Sequence, residues 1–163
     1  MKKNLFFLFL FLFFSLEMDA QSIKFGDLVY FTSLTNRQVY NILLQGNDFR
    51  QESATEVNGQ TILSFKNIVN KTFSEKIIVG SSTTADDGTI LRTVQYTSTD
   101  INDILYMISQ AKIYGLKLGF RGADPDNNIY LYDNDFYHVV IHLRRDQKSG
   151  SVEIRQKELM GFE

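Results

Sequence analysis

The chain contains no cysteine. That excludes a disulfide framework, thiolate metal sites and a lipid anchor carried on an amino-terminal cysteine. No charge of one sign dominates either: 17 Lys and Arg stand against 19 Asp and Glu, a formal charge of -2, which argues against nucleic acid as a partner. The ten glycines are scattered and form no phosphate loop. The longest apolar run, residues 5–16 interrupted only by Ser15, would reach roughly 18 Å as a helix, well short of the ~30 Å hydrocarbon core of a bilayer. Two lysines precede this run and a short polar stretch ending in Ala20 follows it. This layout predicts a secretory signal peptide over 1–20, cleaved after Ala20, leaving no stable membrane span and a periplasmic or secreted chain beginning at Gln21.

Residues 21–163 suit one domain held by packing alone. Within it the order of elements is read twice. "SLTNRQVYNILLQGNDF" leads into short strand-like runs, and "TDINDILYMISQAKIYGLK" does so again. "TILSFKN" (61–67) answers "NIYLYDN" (128–134), "FSEKIIVG" (73–80) answers "FYHVVIHL" (136–143), and "TILRTVQY" answers "SVEIRQKE". Each copy begins with a helix. Ile101, Ile104, Leu105 and Ile108 share one face behind a Thr99 or Asp100 cap, and Gly115 is placed to end that helix. Thr35 and Gln38 form a capping box before Val39, Ile42 and Leu43, with an extra helical turn expected around residues 27–31. Strands separated by Asn58-Gly59, Asp87-Gly88 and Ser149-Gly150 turns follow. The predicted fold is α+β: two tandem helix-plus-four-strand repeats, about 27–97 and 98–160, forming antiparallel sheet with helices on one face.

In its order of elements this region resembles the beta-lactamase-inhibitor-protein type of secreted proteins, in which two helix-plus-four-strand units form a concave sheet. The resemblance implies protein binding and carries over no site residues. Those inhibitors have disulfides, which this chain cannot form.

Both histidines fall in "FYHVVIHL". On a strand, Tyr137, Val139, Ile141 and Leu143 point one way and Phe136, His138, Val140 and His142 the other. The first set is assigned to the helix-covered core and the second to the open face. His138 and His142 would lie ~13 Å apart, too far to share a metal whose ligands sit at ~2.1 Å. If Tyr130 and Tyr132 share the open face, they join His138, Val140 and His142 in an aromatic and imidazole patch suited to a protein partner. Leu63, Phe65, Glu75, Ile77 and Val79 hold the matching positions in the first copy. A curled sheet or covering loops would instead make this face a second core.

Other chemistry is weaker. "DPDNNIYLYDND" (124–135) places Ile129 where a calcium loop requires glycine. The hydroxyl-rich residues 81–84 lack a nucleophile elbow. Arg144, Arg145, Lys148, Arg155 and Lys157 alternate with Glu153 and Glu158 as a solvated edge would. "NKT" at 70–72 matches a glycosylation acceptor, a motif too short to carry an argument. No catalytic residue, metal site or cofactor is singled out. The expected function is an exported, non-catalytic protein-binding module of inhibitor or immunity type. A carrier or sensor of a small apolar ligand is the alternative, and a hydrolase using a histidine the third.

Overall fold

A computed structural model describes residues 23–158; the predicted signal peptide lies outside the described residues. Three helices form behind local caps. α1 spans Phe25–Thr32, opened by the Asp27 carboxylate accepting from the Lys24 N–H at 2.8 Å. α2 spans Asn36–Gln45, and the reciprocal Thr35–Gln38 cap read from the sequence is made there, the Thr35 N–H donating to Gln38 Oε1 at 2.9 Å. α3 spans Ile101–Ile113 behind Asp100, which accepts from the Asn102 N–H. It ends at Gly115, whose φ of 75° lets the Leu116 N–H turn back onto the Ala111 carbonyl.

The strands are β1 (Phe49–Val57), β2 (Gln60–Asn67), β3 (Glu75–Thr84), β4 (Ile90–Ser98), β5 (Lys117–Ala123), β6 (Asn127–Asp133), β7 (Tyr137–Arg144) and β8 (Gly150–Gln156). Asn58 and Gly59 both take positive φ, as the tight β1–β2 hairpin needs. All eight strands join one open antiparallel sheet in the order β1-β2-β3-β4-β8-β7-β6-β5. The molecule is a mixed α+β fold. Each outer strand carries one extra residue: Glu52 between Gln51 and Ser53 in β1, and Gly119 between Leu118 and Phe120 in β5.

The register decides what is core. Leu63 faces Val79 and Phe65 faces Ile77; Ile77 faces Tyr96, Tyr96 faces Val152, and Val152 faces Ile141. Residues directly opposite one another share a face, and all of these side chains are buried. The helices cover that face: α1 lies on β4 and β8, α2 on β1 and β3, and α3 on β7, β8 and β4.

Three expectations are corrected here. Leu63, Phe65, Glu75, Ile77 and Val79 are buried on the helix side and do not belong to the open face. Tyr132 faces Val139 and Tyr130 faces Ile141, so both tyrosines also point to the helix side. Tyr132 is only 2% exposed, and burial pushes its hydroxyl pKa up. The helical turn expected around 27–31 is present and extends to the whole of α1, which seats Phe25, Leu28 and Phe31 in the core. The buried stripes of the other helices are also narrower than the sequence suggests: Val39 and Leu43 are covered on α2 and Ile104, Met107 and Ala111 on α3, whereas Ile42 and Leu105 are exposed.

Candidate functional site

The face opposite the helices is built from cross-strand rows. Through its centre run Gln95, Glu153, Val140, Leu131 and Phe120, each directly opposite the next. Glu153 anchors the row: its carboxylate accepts from Gln95 Nε2 and from Arg155 Nε, both at 2.5 Å. Phe120 lies over Gly122, where an added Cβ would come 2.5 Å from the ring. The aromatic ring thus covers the backbone of the edge strand.

A second row joins Thr93, Arg155, His138 and Asp133. His138 Nδ1 lies 3.0 Å from Asp133 Oδ2. Lys157 Nζ reaches Asp133 Oδ1 at 3.2 Å and the Asn134 carbonyl at 3.0 Å. Burial alone would raise the Asp133 pKa, but hydrogen bonds and charge from Lys157 and His138 hold it below the ordinary carboxylate range. With Nδ1 turned to the carboxylate, Nε2 is the imidazole nitrogen left for a partner.

His142 occupies the row beside Val140, facing Ile129 on one side and Ser151 on the other. Together Gln95, Thr97, Val140, His142, Ser151, Val152, Glu153 and Arg155 line a hollow of about 290 Å³. The structure therefore brings three of the five expected site residues, His138, Val140 and His142, onto the open face and places Tyr130 and Tyr132 behind it. In front of Tyr130, on the helix side, sits Arg121, its guanidinium 5.5 Å from the ring centroid.

Among the described residues no group of three or more His, Asp and Glu side chains is placed to hold a metal. In the calcium-like stretch Asp124 Oδ1 accepts from the backbone N–H groups of Asp126 and Asn127, so this carboxylate caps a turn. The Asn127 side chain and these backbone bonds hold its pKa low, with a smaller contribution from His142.

Sequence reasoning missed Glu153, Asp133, Leu131 and Phe120 as members of this face. Their shared signal is the register, which becomes visible once β6, β7 and β8 are paired. No helix among the described residues is long and apolar enough to cross a membrane. No family model, curated protein or solved structure matches this chain.

Proposed function

We propose that the chain is an exported, non-catalytic protein-binding module of inhibitor or immunity type, acting in the periplasm or outside the cell and docking a partner through the open sheet face. One observation carries this reading: the helices cover one face of the sheet, while the opposite face presents Phe120, Leu131 and Val140 among charged and imidazole side chains. Apolar contact area ringed by polar groups is the composition of a protein interface. The hollow around Val140 sets apolar Val140 and Val152 among hydroxyl, carboxylate, amide, imidazole and guanidinium groups, a mixture that the side chains of a polypeptide can match.

The same reading takes residues 27–97 and 98–160 as two diverged copies of one unit. Supporting it are the mirror-like strand order, with β4 against β8 at the joint, and the extra residue in the first strand of each half. Among the described residues α1 has no counterpart in the second half.

The test is to express the tagged chain in its own host beside a Val140→Glu variant of equal thermal stability. One stoichiometric protein captured by the wild type and lost from the variant is the expected result. Equal capture by both forms, or none by either, would overturn the docking face.

A further inference from the structure

Arg50 lies directly opposite Lys66, and Lys66 directly opposite Lys76, on adjacent strands of the open face. Three cations thus stand in one cross-strand ladder, about 4.8 Å between neighbours. Like charges directly opposite one another destabilise a sheet. Lys76 is the best relieved: its Nζ lies 2.8 Å from Glu52 Oε2, and that contact is the chief reason the Glu52 pKa is lowered, with a smaller contribution from the charge of Lys66. Arg50 and Lys66 are exposed and have no ion-pair partner among the described residues. Along the same row Lys76 is followed by Thr97, Ser151 and His142, all able to hydrogen-bond an anionic group.

Resting on the docking-face reading, we infer that this ladder receives an acidic segment of a protein partner, whose Asp or Glu carboxylates settle between Arg50, Lys66 and Lys76. Complementary charge then neutralises a repulsion that the free protein bears. A polypeptide fits better than nucleic acid for two reasons. The chain as a whole is acidic, at -2, so it offers no long-range attraction to a dense phosphate backbone. The ladder also has no Phe, Tyr or Trp in its row on which a base could stack.

The experiment uses fluorescein-labelled decaglutamate, with decalysine and a ten-nucleotide oligothymidine as controls, in anisotropy titrations at low and high salt. Wild type, Lys66→Glu and Val140→Glu are compared, and thermal midpoints are recorded for each. The expected result is salt-sensitive decaglutamate binding, weakened about tenfold or more in Lys66→Glu, together with a Tm about 2–4 °C above wild type as the like-charge row becomes alternating. Undetectable decaglutamate binding, undiminished binding by Lys66→Glu, a lowered Tm in that variant, or tighter binding of oligothymidine would each overturn the inference. Decaglutamate binding lost in Val140→Glu and kept in Lys66→Glu would remove the ladder and leave the docking face standing. Binding unchanged in both variants would remove both.

Discussion

Tyr132 and Val139 face each other across β6 and β7, beneath the helices, while Val140 beside them in sequence faces outward. Tyr132→Ala is therefore a core truncation. It should cost about 3–5 kcal/mol in urea unfolding, whereas His142→Ala on the open face should change stability by no more than about 0.5 kcal/mol. Equal costs for the two would contradict the assignment of faces.

Two carboxylates should give opposite pH signatures. Burial raises the Asp103 pKa, with nearby Asp100 adding to the effect against hydrogen bonds from Ser98 and Tyr96. The folded state therefore holds the proton more tightly than the unfolded state, and this group's contribution declines as pH rises from the unfolded value of about 3.9 through the folded pKa. Asp133 is held low, so its contribution is present above about pH 3.9 and is lost as pH falls through its folded pKa. In denaturation series across acid pH, Asp103→Asn should remove the first slope and Asp133→Asn the second. Slopes of the same sign for both groups would refute the assignment.

Gly80 is fixed by backbone on the neighbouring strand. Its φ is 107°, and a Cβ there would lie 2.1 Å from the Thr61 carbonyl oxygen, the same oxygen that accepts from Asn36 Nδ2 at 2.6 Å. Gly80→Ala should destabilise the fold by at least about 2 kcal/mol and loosen α2, detectable as faster amide exchange in that helix. A neutral outcome would mean that β2 and β3 can separate freely at Gly80.

The extra residues in the outer strands bear on association. A bulge bends and twists an edge so that another strand cannot easily pair with it. Deleting Glu52 should straighten β1, and sedimentation should then show concentration-dependent self-association that the wild type lacks. Monomeric behaviour of the deletion variant would mean that exposed charge alone protects the edge.

Much of the frame is legible in the sequence because its signals are local. The Thr35–Gln38 cap, the end of α3 at Gly115, the Asn58-Gly59 hairpin and the two faces of β7 each depend on residues a few positions apart. Tyr130 and Tyr132 were not legible, since both alternating sets of "IYLYD" are large and apolar and only pairing with β7 distinguishes them. Ile77 illustrates a different failure. Matching 73–80 to 136–143 placed it with Val140, yet it is buried on the helix side; a slip of one residue exchanges the two faces of a strand. The cationic ladder joins residues from three strands, so no window of sequence displays it.

The seat of α1 has a consequence for the order in which the molecule can assemble. This helix precedes all eight described strands, yet it rests on β4 and β8, and β8 is the last of them, ending at Gln156. Adjacent strands in each half can zip locally, as short-range hairpins do. Closure of β4 onto β8 must instead await the synthesis of β8, more than fifty residues after β4. Until then Phe25, Leu28 and Phe31 have no complete place to bury, so the first described helix is among the last parts to find its final packing.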